Sequence, residues 1–238
     1  MNSLIRDSSR GLRIANSSAH PDHSVEVAFA ELVLQDLQHK SIWINETKLT
    51  IDITQHGVNG LDAGAEEPYT WYYIWAITNL AGVRAGLLSK SPVTPVLPPG
   101  FSFYAFLGAI QNCRNGGSDF GPIDQTGHVV ARNSVIVLNG GTAVAATAVD
   151  CAAALPEMAR TAIGTFTLNI GANGGRGEGW VRSRSDQGVV GFAGFLDAPG
   201  YLAAPFCLPV IETQRLYYNR LGSSSTESIT IGISGFEF

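Results

Sequence analysis

Four runs of sequence set the fold class: N-G-L-D-A-G at Asn59–Gly64, W-Y-Y-I-W-A-I at Trp71–Ile77, L-L-S-K-S-P-V-T-P-V-L-P-P-G-F at Leu87–Phe101 and F-L-G at Phe106–Gly108. They follow one another as turn, aromatic strand, short strand, stiff crossing and strand, with no helical period between them. Gly60 and Gly64 stand where a tight turn needs positive φ, and Asp62 is suited to hydrogen-bond its own downstream backbone. Trp71, Tyr73, Trp75 and Ile77 share one face of a period-two strand, and Tyr72, Ile74 and Ala76 share the other. Both faces are apolar or amphipathic, as in a strand covered on each side. Pro92, Pro95, Pro98 and Pro99 cannot donate to a ladder, so Ser91–Gly100 is a crossing segment. The aromatic stripe invites a carbohydrate-binding interpretation, but rings of this size dominate sheet cores, and we assign them there.

Outward from this block the chain continues in short strands. Upstream, Gly11–Ile14 is a plausible strand, and Val25–Leu37 has both helical and alternating character; its β-branched residues favour a strand. Ser41–Ile44 and Lys48–Thr54 follow, the second with Leu49, Ile51 and Ile53 inward. Downstream, the N-G-G at Asn115–Gly117 signals a turn and Gly121–Gly127 a loop before the strand His128–Leu138. A second N-G-G, Asn139–Gly141, marks a boundary or a long hairpin. Ala152–Arg160 holds one or two turns of helix at most, with Pro156 in its first turn. Strands then fall at Ala162–Ile170, Trp180–Arg184, Val189–Leu196, Phe206–Ile211, Arg215–Asn219 and Ser228–Gly235. Asn173–Gly179, Ser185–Gly188, Asp197–Pro205 and Gly222–Ser225 are the loops between them. So regular a spacing of short strands predicts an all-β protein, an antiparallel β-sandwich or jelly roll of one or two lobes. The expected division is an arm over 1–10, a first lobe over 11–139 and a second over 140–238, with a single continuous domain as the alternative.

Composition narrows the function classes. Across 238 residues, 45% are hydrophobic, only 15% are charged and 27 are glycine, which suits a turn-rich folded chain rather than a disordered one. The net charge of −5 argues against a nucleic-acid partner, which needs clustered Lys and Arg. Arg176, Arg182 and Arg184 flank one glycine-rich turn and one strand, and we take them as a solvated face. The N-terminus lacks the apolar core of a signal peptide and no run reaches the length of a membrane span, so synthesis in the cytoplasm and no membrane insertion are expected. Cys113, Cys151 and Cys207, an odd number at unrelated spacings, fit free thiols.

The opening block also resembles a module of tailed-phage and prophage virion proteins. The positions that carry the resemblance are Asn59, Gly60, Leu61, Asp62, Gly64, Trp71, Tyr72, Leu88, Ser89, Thr94, Pro95, Pro98, Gly100, Phe101 and Gly108. L-Y-Y-N-R at Leu216–Arg220 and I-S-G-F at Ile233–Phe236 resemble the closing strands of such proteins. The resemblance implies a virion structural protein assembled in the host cytoplasm, partnered by other virion proteins and forming a homo-oligomer, with a trimer favoured. Family members often carry long stalk-forming N-terminal regions and this chain has none, which directs the expectation to a capsid decoration, vertex or tail-attached knob. The alternative is a receptor- or glycan-binding tail-fibre tip, with Tyr69, Phe120 and Tyr201 as exposed ligand-contact rings on a host-surface glycan or receptor.

No constellation for catalysis, cofactor or metal is expected. The chain lacks G-x-S-x-G, H-E-x-x-H, C-x-x-C and P-loop patterns. His20-Pro-Asp-His23 gathers two imidazoles and a carboxylate without further ligands at a metal-site spacing. Asp119, Asp124 and His128 lie close enough in sequence to imagine a glycosidase pair, and Asp186 and Asp197 are further loop acids. Acidic residues in polar loops are ordinary, and we assign none of them a catalytic role. The N-G-G-R-G-E-G loop lacks the G-K-[ST] and the following helix of a phosphate cradle.

Overall fold

The computed structural model describes residues 9–113, 119–171, 177–186, 191–196 (as backbone only), 199–221 and 227–238. Most of the expected arm, the Asn115–Gly117 turn, much of the Asn173–Gly179 loop, Gly188, Val189, Asp197 and the Gly222–Ser225 turn lie outside the described residues. Among the described residues there is no helix, and the strands pair antiparallel but for one two-residue parallel ladder. The chain forms two compact units, Met1–Arg132 and Asn133–Phe238.

The first unit holds β1 (Ser9–Arg10), β2 (Arg13–Asn16), β3 (Ser24–Gln35), β4 (Ser41–Asp52), β5 (Gly60–Leu61), β6 (Trp71–Thr78), β7 (Arg84–Ser89), β8 (Phe103–Gln111), β9 (Ile123–Thr126) and the first residues of β10 (Val129–Gly141). Its strands pair in the order β10-β9-β2-β3-β8-β6-β7-β5, with β1 and β4 also on β3. The β3–β8 link is a single pair, Gln35 to Tyr104. On either side of it the two halves of the sheet face each other. A Cβ on Gly86 of β7 would meet Ile51 of β4, and one on Gly108 of β8 would meet Ile14 of β2 and Gln125 of β9. Val25–Leu37 settles as a strand because its alternating Val25, Val27 and Phe29 are all buried in this interior. The two strands expected at Ser41–Ile44 and Lys48–Thr54 are one twelve-residue strand, β4.

The aromatic strand β6 is buried on both faces from Tyr72 to Thr78, as expected of a strand covered on each side. Trp75 stands edge-on to Tyr104 and Phe106 of β8, with ring centroids 5.8 and 5.5 Å away. That geometry sets the positive ring edge on a negative π-face. Between the pairs Ile74–Gly108 and Trp75–Phe106, β8 carries one extra residue, Leu107. The bulge leaves the Leu107 carbonyl off the ladder, and the fully buried Gln125 donates Nε2 to it at 2.7 Å. Gly108 follows from this: a Cβ there would lie 2.2 Å from Gln125 Oε1.

The N-G-L-D-A-G turn is built differently from its expectation. Positive φ falls on Asn59 (61°) and Gly64 (77°), not on Gly60. Gly60 is required by close approach instead, since a Cβ would sit 2.4 Å from the Gln55 carbonyl oxygen. Asn59 tolerates the left-handed region better than most residues. Its backbone N–H donates to the Gly86 carbonyl at 2.9 Å, and its Oδ1 accepts from the Gly86 N–H at 2.9 Å. Gly60 and Leu61 then run parallel to Leu87 and Leu88. Asp62 does not bond its local backbone; Oδ2 accepts from the Val96 N–H at 2.7 Å, 34 residues on. The turn therefore stitches β7 and pins the proline crossing, whose residues form no strand and whose Pro95 is buried.

The second unit takes the rest of β10 together with β11 (Thr147–Asp150), β12 (Thr161–Ile170), β13 (Gly177–Arg182), β14 (Gly191–Leu196), β15 (Gly200–Pro209), β16 (Arg215–Arg220) and β17 (Glu227–Glu237). One sheet runs β15-β12-β17-β10 and the other β11-β16-β13-β14. The glycine positions Gly177 and Gly179 of β13 face Ile170, Phe166 and Ile229 of the first sheet, so the two sheets stack as a sandwich. Phe166, Leu168, Val181, Leu216, Ile229, Ile231, Ile233 and Phe236 are each fully buried in its core.

Several sequence expectations change here. Asn139–Gly141 continues β10 rather than turning, with positive φ confined to Gly140. Gly121–Gly127 contains β9, and Asp197–Pro205 contains the start of β15. Proline is tolerated in β15 because it lies at a sheet edge, where a missing N–H breaks no ladder. Ala152–Arg160 forms hydrogen-bonded turns on Cys151 and Pro156 and no helix.

Candidate functional site

The sequence offers three rings as ligand contacts, and the structure separates them. Tyr69 is 63% exposed and Tyr201 76%, whereas Phe120 is 3% exposed. Phe120 is thereby corrected from an exposed ring to a core one. Its segment is drawn in by two backbone bonds, from its own N–H to the Asp22 carbonyl at 2.8 Å and from the Gly121 N–H to the Gln111 carbonyl at 2.9 Å. Tyr201 stands at an outward position near the start of β15, opposite Asn169.

Tyr69 sits on a loop that is firmly held. The Glu67 N–H donates to the Tyr72 hydroxyl at 2.6 Å, and Thr70 Oγ1 donates to the Pro68 carbonyl at 3.0 Å. Asn112, 1% exposed, donates Nδ2 to Glu66 Oε1 at 2.8 Å and to the Glu67 carbonyl at 3.1 Å. Burial raises the Tyr72 phenol above its ordinary pKa, against the lowering effect of the Glu67 backbone bond. Between these anchors Tyr69 has φ of 53°, a left-handed backbone that is uncommon for a bulky side chain. Lys90, just past the end of β7, reaches this loop in an ion pair with Glu67 at 2.5 Å, half-exposed and so of little energetic weight.

Beside it lies a cluster that the sequence does not advertise. The Arg132 guanidinium stands 5.1 Å over the Trp71 ring and donates to Gln111 Oε1 at 3.1 Å. Burial lowers the Arg132 pKa, with the nearby Cys113 opposing, and burial raises the Cys113 thiol. The stacked Arg132 and Trp71 and the Arg132–Gln111 bond tie strands β6, β8 and β10 together here. No local motif marks it, because Trp71, Gln111 and Arg132 come from three different strands.

The remaining sequence candidates serve the fold. The His20–His23 corner closes the β2–β3 hairpin: the rings stack at 4.9 Å, and His23 Nδ1 lies 2.9 Å from Asp22 Oδ1. Asp52 Oδ2 is 3.9 Å from the other nitrogen. Asp124 is inside β9, Asp119 precedes it and His128 follows it in the turn. Among the described residues no three His, Cys, Asp or Glu side chains gather in a way that could hold a metal ion. Of the three arginines, Arg182 is buried with its guanidinium 4.7 Å over Trp180, Arg184 pairs with Asp186 at 3.2 Å, and Arg176 lies outside the described residues. The sequence also hides Glu227, 1% exposed, whose carboxylate accepts from the Glu178 N–H at 2.7 Å and from Arg220 at 3.4 Å. Cys113, Cys151 and Cys207 are all free thiols. No helix among the described residues is long and apolar enough to cross a membrane.

No family model matches the chain, and no curated protein matches it. Among solved structures, the functional form of the mosquito-larvicidal Cry4Aa toxin from Bacillus thuringiensis is similar at a TM-score of 0.22 and 9% identity. The alignment covers 98% of this chain and 54% of that one. So shallow a likeness decides neither fold nor function.

Proposed function

We propose that this chain is a structural protein of a bacteriophage virion, a capsid decoration, vertex or tail-attached knob that acts by oligomeric assembly. The observation that supports it is the use to which the N-G-L-D turn puts its polar groups. Asn59 and Asp62, the two residues of that turn able to do chemistry, accept hydrogen bonds from the backbones of Gly86 and Val96. They serve a rigid scaffold, and a rigid scaffold repeated by symmetry multiplies modest contacts into a stable shell. The test is association of purified chain with particles lacking it. Stoichiometric binding that survives washing supports the proposal, and a chain that never associates refutes it.

A second reading, a receptor- or glycan-binding tip, draws on Tyr69. A ring held outward on a pinned loop by an unfavourable backbone conformation is the kind of local strain that function can maintain. Adherence of the purified chain to host cells, abolished by Tyr69→Ala or Tyr201→Ala, favours this reading. On either reading the chain is a binder and not a catalyst, and it is expected to release no product from host polysaccharide.

A further inference from the structure

One end of the first unit turns large apolar side chains outward. Gln35 of β3 pairs with Tyr104 of β8, and Tyr104 pairs with Ile77 of β6, so the three form one row. Both β3 and β6 run toward that row. The turns that follow them, 36–40 and 79–83, therefore project from the same end, two strand spacings or about 10 Å apart. Leu37 in the first turn is 69% exposed, and Leu80 and Val83 in the second are 84% and 51% exposed. Trp43, 68% exposed, stands opposite Val33 on the outward face of β4, about 7 Å behind the Gln35–Ser41 pair. Both turns are closed on themselves. Asp36 Oδ1 accepts from the Gln38 and Lys40 N–H groups at 2.9 Å, and Asn79 Oδ1 accepts from the Val83 N–H at 3.0 Å. Lys40 lies next to Ser41, and Arg84 pairs with Thr78, which places both cations just outside the Gln35 row. Arg84 is anchored there through Nη1 on the Asn45 carbonyl and the Thr47 hydroxyl. Asp36 is the one acid in either turn, and Glu46 stands further back on β4, behind Trp43. The two turns with Arg84 thus carry a formal charge of +1 (Lys40 and Arg84 against Asp36) in a chain of net charge −5.

We infer that this end binds the surface of a lipid bilayer with anionic headgroups, as a peripheral contact and not a span. Grouped, exposed apolar side chains mark either a protein or a membrane contact. The order of the side chains along the strand axis selects the membrane. Leu37 and Leu80 lead, Lys40 and Arg84 follow, and the indole of Trp43 comes behind them. Hydrocarbon takes the leucines, while the headgroup zone takes the cations and the amphipathic ring. The positive sign suits an anionic leaflet, which attracts Lys and Arg held near it. A protein interface is built as an apolar centre within a polar rim. Two separate convex turns with cations ranked behind them offer no such centre, whereas a fluid bilayer closes around protruding side chains of any shape. The backbone is also prepared for an apolar boundary, where an unbonded N–H is costly. In the first turn the N–H groups of Asp36, Gln38, His39 and Lys40 are bonded internally, and in the second those of Asn79, Gly82 and Val83. The inference goes beyond the assembly and receptor-binding readings, neither of which uses these residues.

The test is co-sedimentation of the full chain with vesicles of mixed phosphatidylcholine and phosphatidylglycerol, against vesicles of phosphatidylcholine alone. The chain is expected to partition onto the anionic vesicles and about fivefold or more weakly onto the neutral ones. Leu37→Ser/Leu80→Ser should lower the partition by at least about tenfold. Both leucines are exposed, so the variant should melt like the unaltered protein. Should it fail to fold, tryptophan emission of the unaltered chain decides instead. Trp43 is exposed while Trp71, Trp75 and Trp180 are buried or half-buried. Vesicles should therefore shift the emission to the blue, and Trp43→Phe should abolish the shift while binding persists. No partition onto either vesicle, a partition that ignores the leucine substitutions, or an emission unmoved by lipid overturns the inference. A chain that ignores vesicles yet self-associates through the leucines also overturns it and gives this end to a protein partner. Each of those outcomes leaves particle association and Tyr69-dependent adherence to be read on their own experiments.

Discussion

Trp75 and Trp71 lie four residues apart on β6 and differ in what they do. Trp75 is 2% exposed and ringed by Tyr104 and Phe106, whereas Trp71 is only partly buried and lies beneath Arg132. Truncating Trp75 to Ala should cost on the order of 3–5 kcal/mol, read as a shift in denaturant midpoint. Trp71→Ala should cost about 0.5–2 kcal/mol, the scale of its cation–π contact. Trp75 Nε1 is buried without a hydrogen-bond partner, so Trp75→Phe removes an unpaired donor and should be milder than the alanine change. A second residue-scale expectation concerns Cys151. Its burial holds the thiol un-ionised up to about 12, against 9.0 for a free one. The unfolded chain loses that proton first, so it binds fewer protons than the fold between pH 9 and 12, and stability falls as pH rises through that window. The slope approaches about 1.4 kcal/mol per pH unit for one such group. Denaturant melts across pH 8–11 check it: Cys151→Ala should show a shallower decline, and an unchanged decline would sink the assignment.

At the scale of elements, the β8 bulge and the Gln125 clamp form one unit that mutations can take apart. Gly108→Ala drives a methyl into Gln125 Oε1, and a cost of about 1–3 kcal/mol is expected from overpacking. Gln125→Ala makes room but leaves the Leu107 carbonyl unpaired, at about 1–3 kcal/mol. The double variant should be less damaging than the sum, and a coupling of zero by double-mutant cycle would show that the two do not act together. This is also where sequence and structure part company. The strand over Trp71–Ile77 and the proline crossing were legible because period and proline chemistry are local. Gly108 could be read as a strand end but not as the partner of Gln125, since the contact joins β8 to β9 and no local pattern records it. Gly60 was misassigned for the same reason: its constraint is the Gln55 carbonyl, not its own φ. Phe120 looked like a loop ring because its turn signals are local, while its burial depends on Asp22 and Gln111, distant in sequence.

For the whole molecule, the all-β class was readable from strand spacing, whereas the roles of single side chains were not. The two readings of function make opposite demands on Tyr69. If the chain works by assembly, the ring is incidental and its left-handed backbone is a small cost carried by the fold. Tyr69→Gly then relieves that strain at little or no loss of stability, since glycine enters this region without penalty. Association with particles should be unchanged. If instead the chain is a tip, the pinned loop exists to present the ring, and the same variant should melt like the unaltered protein yet lose adherence to host cells. Measuring both on one preparation separates the readings. Retained association with no measurable adherence by either protein supports assembly, and adherence lost with the ring transfers the function to the loop at Glu66–Thr70.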